Sequence, residues 1–324
     1  MTFGEVSYES PDVNLQGSLV ASRVRSESDV WKFPITGDPA DNVKRGVRIT
    51  RQTGQIQTLT ISPDEREVAF LSDNGGHANV WIARVSDGVM RPLTQELDPR
   101  VLVAVPFWSP QGNMINFLSN KNTRSVDVSL WVVNADGADP RDLGIVGAWG
   151  CWSGDGEWLY YSTQEKSVYH LRKVRPADGQ VVRVRDDDAV GCAVAPDGSA
   201  LYYAKLLVQS TGSSDLELRV AKPEDGPSVP LGRVAASRIP VEPVNVQTYV
   251  SPDGRWLAMP LVDGSTTNLW ALAPATGEWR KLTDFGETNV MIARRIGWSR
   301  DGGSLYASVS KIDSDVVRLV GLKW

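Results

Sequence analysis

The sequence predicts an all-β fold, a β-propeller of seven four-stranded antiparallel blades, with six blades as the main alternative. A turn motif of the type Ser-Pro-Asp-Gly recurs six times at spacings of 42 to 56 residues. Short runs rich in Val, Ile, Leu, Tyr and Trp flank each turn and end at Gly, Pro, Asp or Asn, which is typical of strands joined by tight turns. No window of a dozen residues shows a helical apolar period. Four strands per repeat of this length indicate a propeller blade.

The six turns share one chemistry. Pro presets φ, Asp bonds the backbone two residues on, and Gly adopts the left-handed conformation that other residues avoid. We therefore interpret the motif as structural. The turns are at residues 62–65, 109–112, 153–156, 195–198, 251–254 and 299–302, and a weaker seventh copy begins at Ser10.

Counting these copies divides the chain into seven units within a single domain, 1–324. The first unit is the most divergent, and the last supplies only three strands. We expect the ring to close by borrowing a strand from the N-terminus, near "MTFGEV" (1–6). The units are 1–57, 58–104, 105–148, 149–190, 191–245, 246–289 and 290–324.

Tryptophan recurs at two aligned positions. One directly precedes the turn and is occupied by Ile61, Trp108, Trp152, Val194, Val250 and Trp298; the other lies in the third strand, at Trp31, Trp81, Trp131 and Trp270. Large flat side chains fill the space that widens between neighbouring blades. We therefore predict blade-to-blade packing for both sets, with a carbohydrate-binding platform as the alternative.

Composition excludes several classes. The 324 residues carry a net charge of −5 with a pI near 5.3, which argues against a nucleic-acid or anionic-membrane binder. No apolar stretch is long enough to span a bilayer, and the N-terminus has no secretory signal pattern, so we expect a soluble chain without membrane insertion. Cys151 and Cys192 are predicted to be buried free thiols.

The repeat as a whole is similar to a known family. The Ser-Pro-Asp-Gly turn, a third strand opening "NVW" or "NLW", and a fourth strand ending "RPLT" or "RKLT" resemble the WD-like repeats of TolB-like β-propellers, from about residue 10 to 322. The segment "SDVWKFPITGDP" (28–39) most resembles the sensor-type propellers of bacterial protein kinases and winged-helix regulators. This resemblance implies a protein-binding or sensor role, and an extracytoplasmic location if the propeller belongs to a membrane-anchored sensor.

Catalytic and metal-binding patterns are sparse. The sequence has two histidines, His77 and His170, but no Gly-x-Ser-x-Gly motif that would supply a hydrolase nucleophile. It also has no Gly-rich phosphate-binding loop at the start of a helix. The run 186–188, three aspartates, is the best local match to a cation site, but a solvated acidic loop explains it equally. We expect no cofactor.

Ligand binding is predicted where second-to-third-strand loops and blade-to-blade connections surround the channel. Arginine recurs before the inner strands and could meet a carboxylate or phosphate, although pairing with nearby acids is the alternative. The binding candidates are Arg51, Arg100, Arg238, Arg294, Arg295, Asp73 and His77. Two long insertions, 206–215 and 232–247, are further candidates.

The sequence thus favours a non-catalytic module that binds a protein segment or a small ligand at this channel face, as a sensory or interaction domain of a larger bacterial signalling protein. Two alternatives stay open. One is a lyase or lactonase-type hydrolase using channel carboxylates and a divalent cation, and the other is a substrate-gating domain of a peptidase. Fold alone does not decide between them, and the oligomeric state is not predicted.

Overall fold

The computed structural model describes residues 6–13, 19–51, 55–74, 76–123, 127–208, 213–292 and 294–319. The chain starts with strands β1 (Val6–Val13) and β2 (Leu19–Pro34), helix α1 (Pro39–Lys44) and strand β3 (Val47–Arg48). Five four-stranded antiparallel sheets follow in sequence, and a last sheet combines both ends of the described chain. Each sheet is one blade of a propeller.

Blades 1 to 5 each use four consecutive strands, ordered from the inside of the ring outwards. Blade 1 contains β4 (Ile56–Ile61), β5 (Glu67–Ser72), β6 (Asn79–Arg84) and β7 (Met90–Pro92); blade 2 contains β8 (Val103–Trp108), β9 (Met114–Ser119), β10 (Ser129–Asn134) and β11 (Arg141–Val146). Blade 3 contains β12 (Ala148–Trp152), β13 (Leu159–Glu165), β14 (Val168–Val174) and β15 (Val181–Arg185). Blade 4 contains β16 (Ala189–Val194), β17 (Leu201–Val208), β18 (Ser214–Ala221) and β19 (Ser228–Val234); blade 5 contains β20 (Tyr249–Val250), β21 (Leu257–Asp263), β22 (Thr266–Leu272) and β23 (Trp279–Lys281).

Blade 6 is assembled from the two ends of the described chain. Its inner strands are β25 (Ile296–Trp298) and β26 (Ser304–Leu319), preceded by the short β24 (Val290–Met291). β2 then pairs with β26 along their whole length, from Leu19 opposite Leu319 to Pro34 opposite Ser304, and β3 completes the blade. β1 adds a further strand outside β2.

The propeller therefore has six blades, and the prediction of seven is wrong. The first predicted unit, 1–57, supplies the third and fourth strands of blade 6 instead of a separate blade. Ser10, counted as the start of a seventh turn, lies within strand β1. Ring closure from the N-terminal side is as expected, but it uses β2 and β3; residues 1–5 of the expected segment are outside the described part.

The turn motif joins the first and second strands of each blade on one side of the ring, here called the turn face. In blade 1, Ser62 Oγ donates to Asp64 Oδ1 at 2.7 Å and accepts from the Glu67 N–H at 3.0 Å, and blade 5 repeats both bonds. Neighbouring turns also pack together, since a Cβ on Gly112 would lie 3.5 Å from the Pro63 ring. Gly112 has φ +74, so the motif serves both turn geometry and blade packing.

A second recurring hydrogen-bond pattern closes blades 1, 5 and 6 on their outer side; in blade 6 Thr50 accepts from the Val30 N–H and donates to Asp29. Thr94 Oγ1 accepts from the Val80 N–H at 2.9 Å and donates to Asn79 Oδ1 at 2.8 Å. Thr283 does the same with Leu269 N–H and Asn268 in blade 5. This hydrogen bond explains why an Asn opens the third strand and a Thr ends the fourth.

The arginine of the same fourth-strand motif links one blade to the next. Arg91 donates to the Ala135 carbonyl at 3.0 Å, Arg141 to the Pro176 carbonyl at 3.3 Å and Arg280 to the Ile35 carbonyl at 3.2 Å. The apolar cores also lie between blades. The structure places Trp108, Trp152 and Trp298 in three such inter-blade clusters.

Helical structure is limited to short pieces that the sequence did not predict. α1 is a six-residue helix capped by Asp38, which accepts from the Ala40 N–H, and 3₁₀ turns occupy Ala236–Arg238 and Pro243–Asn245. Segments this short cannot display an apolar period. In the described ranges, none of the helical segments has the length and apolarity required to cross a bilayer.

Cys151 and Cys192 form a disulfide, so the prediction of two free thiols is wrong. They lie on β12 and β16, the inner strands of blades 3 and 4, with Cα atoms 5.9 Å apart. That separation is normal for a disulfide, and two inner strands converging on an axis supply it. Sequence spacing gave no indication of the pairing because the contact depends on ring geometry.

Replacing Thr283 by Val keeps its shape but leaves the buried Leu269 N–H without its acceptor. We expect the free energy of unfolding to fall by about 1 to 3 kcal/mol. Urea unfolding measures this, with Thr276→Val as the control, because the exposed Thr276 hydroxyl is replaceable by water. Equal losses in the two variants would contradict the assigned role.

The disulfide predicts that unfolded, unreduced protein has no reactive thiol and that reduction releases two. It closes a loop of 41 residues, so the Cys151→Ser, Cys192→Ser double variant should lose about 4 kcal/mol of stability in the chain-entropy model. Thiol titration in denaturant and thermal unfolding check both statements. Two titratable thiols without reductant would refute the pairing.

Candidate functional site

An open cavity of about 280 Å³ lies on the propeller axis at the turn face. Its wall is the ring of residues that directly precede the six turns, here called the collar. The collar consists of Ile61, Trp108, Trp152, Val194, Val250 and Trp298. The exposed turn residues Pro63, Pro110 and Gly154 form the rim. One residue from each blade therefore contributes to a single concave, largely apolar site.

The collar is uneven because its members differ in size. Trp108, Trp152 and Trp298 are buried between blades, with their edges reaching the cavity. Val194 and Val250, on neighbouring blades 4 and 5, are only half-buried. These smaller side chains fill less of the wall than the tryptophans do.

The inner end of the cavity is closed by side chains that cross the channel. Gln247 donates through Nε2 to the Gly150 and Cys192 carbonyls at 3.2 and 3.0 Å, which ties blade 5 to blades 3 and 4. The buried Arg295 guanidinium lies 4.9 Å from the Phe107 ring centroid. Burial raises the pKa of Tyr249 to about 12, so this wall residue is a neutral phenol.

Three polar atoms of the cavity lining lack hydrogen-bond partners within the described residues. They are Nε1 of Trp108, Oε1 of Gln247 and the hydroxyl of Tyr249, and the three residues are 5%, 3% and 8% exposed. Buried donors and acceptors normally have hydrogen-bond partners, and a buried polar group without a partner costs about 1 to 3 kcal/mol. The site thus combines apolar walls with an unsatisfied indole N–H, an unsatisfied amide oxygen and an unsatisfied phenol hydroxyl.

Carboxylates of the turns surround the rim. Hydrogen bonds from the turn serines and from backbone N–H groups lower the pKa of Asp64, Asp155 and Asp301. At Asp253 partial burial opposes ionisation, but bonds from Ser251 and Arg255 outweigh it and bring the pKa to about 2. These groups are therefore ionised at neutral pH.

Most of the channel-face residues predicted from the sequence lie on the side of the ring opposite the turn face. Several of them have hydrogen-bond partners there. Arg100 forms a two-pronged pair with Asp98 at 2.9 and 2.7 Å. Asp73 accepts from the Gln55 N–H at 2.6 Å, and His77 Nε2 contacts the Val101 carbonyl at 3.0 Å. Arg51 is exposed.

The other predicted arginines occupy different settings. Arg238 donates to Asp263 at 2.7 Å and stacks on Trp270, with 4.7 Å to the ring centroid. Arg294 is half-buried. Arg295 reaches the axis, but its burial makes it part of the channel interior. The structure therefore spreads these residues over separate contacts, and anion binding by them stays a prediction.

The remaining sequence candidates are engaged structurally. Asp186 accepts from Arg172 and contacts His170 Nδ1, each at 2.7 Å, while Asp187 accepts from Tyr203 at 2.9 Å. Asp188 accepts from the Tyr169 N–H. In the described part of the chain, no group of three or more His, Cys, Asp or Glu residues is arranged to hold a metal ion.

Insertion 232–247 forms part of the channel. Its last residue is Gln247. The Val246 carbonyl oxygen lies so close to Gly191 that a Cβ on residue 191 would be 2.5 Å from it. Of insertion 206–215, residues 209–212 lie outside the described part. The sequence aligned the collar positions, and we predicted blade packing for them with a carbohydrate-binding platform as the alternative. Their place beside the inner-strand turn was the available indication of an axial site.

Comparison with known proteins supports the fold alone. No family model and no curated protein sequence matches the chain. Among solved structures, a TolB-type protein from Agrobacterium tumefaciens is similar over 89% of this chain and 99% of its own, with a TM-score of 0.66 and 14% identity. TolB from Acinetobacter baumannii matches with a TM-score of 0.60 and 12% identity over 88% of this chain and 65% of its own.

Enzymes share the same architecture. The oligogalacturonate lyase from Vibrio parahaemolyticus is similar over 93% of this chain and 76% of its own, with a TM-score of 0.52 and 12% identity. The chain therefore has the fold of the TolB-like β-propellers, and at these identities the likeness carries no function with it.

Acid should destabilise the protein through the turn aspartates. A carboxyl whose folded pKa is lowered contributes stability that is present above its unfolded pKa and is lost as pH falls through the folded value. For Asp253 that interval runs from about pH 4 to pH 2. Asp253→Asn keeps the turn geometry, so its unfolding free energy should fall less over this interval, by about 1 kcal/mol after solvent screening. Identical pH profiles of wild type and variant, followed by urea unfolding, would contradict this role.

Proposed function

We propose that the protein is a non-catalytic binding module for a segment of another protein. An apolar side chain of that segment enters the axial cavity. The observation that carries the proposal is the collar, in which all six blades present an apolar residue to one open pocket. Concave, mostly apolar sites with a few polar groups are where proteins bind ligands. The volume of about 280 Å³ suits one large side chain and its adjoining backbone.

The rigidity of the site supports this role. Trp108, Trp152 and Trp298 are fixed between blades, and Gln247 is fixed by two hydrogen bonds. A pocket that does not reorganise loses little conformational entropy on binding. Buried aromatic positions of this kind contribute strongly to affinity when a partner side chain fills them.

A sensory or interaction domain of a larger bacterial signalling protein is the setting we propose. The Cys151–Cys192 disulfide supports an oxidising, extracytoplasmic compartment, because disulfides form and persist there. This fits the expectation for a membrane-anchored sensor. Intact mass of the native protein isolated without reductant tests the redox state.

The enzymatic alternatives have less support among the described residues. A lyase or lactonase-type hydrolase needs a converging set of metal ligands, and the described residues offer none of three or more. A peptidase-gating role has no observation of its own in its favour. Neither alternative accounts for the apolar collar.

The experiment is a selection of random twelve-residue peptides displayed on phage against the immobilised protein. Val194→Trp and Val250→Trp each place in the collar the residue that three other blades already carry, so we expect both variants to fold with a filled pocket. Selected peptides should bind each variant at least roughly tenfold more weakly, the loss expected when one large side chain is no longer buried.

Val181→Trp and Val229→Trp are the controls, because both valines are exposed on outer strands, at 49% and 59%. Melting temperatures establish that all four variants are folded. Peptides that bind every variant as well as the wild type, or a selection that yields none, would refute pocket-mediated protein binding.

A further inference from the structure

We infer that the segment bound in the axial pocket is basic, with Lys or Arg residues flanking an apolar anchor side chain. The inference rests on the proposed function and names the chemistry of its partner. It is drawn from the charges around the pocket, which are independent of the collar that defines it.

The rim of the pocket is acidic. The six segments that form it, 62–67, 109–114, 153–158, 195–200, 251–256 and 299–304, contain more than twice as many acids as bases. The acids are Asp64, Glu65, Glu67, Asp155, Glu157, Asp197, Asp253 and Asp301, and the bases are Arg66, Arg255 and Arg300. Net negative charge is therefore carried by the turns of the face at which the cavity opens, while the lining of the cavity itself contains no carboxylate.

Local pairing removes part of this charge, but unevenly around the ring. Arg255 lies 2.6 Å from Asp253 and Arg66 lies 3.7 Å from Asp64, so blades 5 and 1 are partly neutralised. Asp301 of blade 6 forms no ion pair among the described residues. Asp155, Glu157 and Asp197 form none either, although Lys173 and Lys222 lie close enough to help lower the pKa of Asp155 and of Asp197. These three exposed acids belong to the turns of blades 3 and 4.

These three acids lie on turns that adjoin the collar at Val194. The turns of blades 3 and 4 touch, since a Cβ on Gly154 would lie 3.0 Å from the Pro196 carbonyl oxygen. Val194, one of the small collar residues, directly precedes the blade 4 turn. A segment anchored beside Val194 therefore leaves the pocket past Asp155, Glu157 and Asp197.

This arrangement selects for positive charge beside the anchor. Carboxylates around a cleft with apolar walls focus a negative potential on its opening. A single exposed ion pair contributes little, so the preference is collective and decreases with salt. The same field disfavours acidic segments, which gives specificity as well as attraction.

The test uses three acetylated, amidated peptides with a central Phe flanked on each side by two Lys, two Ser or two Glu. We expect the Lys peptide to bind at least tenfold more tightly than the Ser peptide, and the Glu peptide most weakly, by isothermal titration at low salt. Raising the salt to 0.5 M should bring the Lys and Ser peptides to within about threefold of each other.

A charge-neutralised variant tests the assigned acids. Asp155→Asn, Glu157→Gln and Asp197→Asn combined keep the turn hydrogen bonds but remove three charges. The Lys peptide should bind this variant at least fivefold more weakly, with the Ser peptide unchanged. The matched control is Asp98→Asn, Asp284→Asn and Glu287→Gln, which removes three charges from the opposite face.

The outcomes separate the two proposals. Equal affinities of the three peptides, all abolished by Val194→Trp, would overturn the charge inference and leave pocket binding intact. Binding of the Lys peptide that Val194→Trp does not weaken would assign it to the acidic surface alone and overturn the inference. No binding of any peptide would overturn both proposals.

Discussion

The structure depends on one set of backbone hydrogen bonds, those between β2 and β26. Until Leu19–Pro34 pairs with Ser304–Leu319, blade 6 has only its two inner strands and the ring is open. Closure removes the exposed strand edges that an open series of blades would present at both ends. It also brings Trp298 of blade 6 next to Ile61 of blade 1 in the cavity wall. The axial site therefore exists only in the closed ring, although no residue of β2 or β26 lines it.

Each recurring residue type in the repeat has a mechanical role within this ring. The turn serine and aspartate satisfy each other and the backbone, and the turn proline packs on the next glycine. The Asn–Thr hydrogen bond closes blades 1 and 5. Because these roles use the polar groups internally, the invariant part of the motif leaves little for a ligand. The variable position before the turn is where the blades differ, and it forms the collar. In the proposed function, the specificity of binding therefore comes from the collar position, which varies between blades although the turn beside it does not.

Much of the architecture could be predicted from the sequence, because turn chemistry and strand patterning act locally. The number of blades could not be predicted in this way. Trp31 and Thr50 match the third-strand and fourth-strand patterns, but the sequence does not show which inner strands these two strands pair with. The Cys151–Cys192 bond and the crossing of the channel by Gln247 depend on distances across the axis, which a linear sequence does not contain. The arginines on the face opposite the turn face do recur, as the sequence shows. Their ion pairs, such as Arg100 with Asp98 and Arg238 with Asp263, depend on side-chain geometry and could not be predicted from the sequence.

The register of the closing strands also determines how the molecule responds to force. Leu19 lies opposite Leu319 at the end of the β2–β26 ribbon farthest from the turn face, so tension applied between these two residues loads the hydrogen bonds one pair at a time. Strands loaded in this way peel apart, whereas strands loaded along their length must shear all bonds together. A pull on both ends would open the ribbon first and reach the Pro34–Ser304 end, beside the turn face, last.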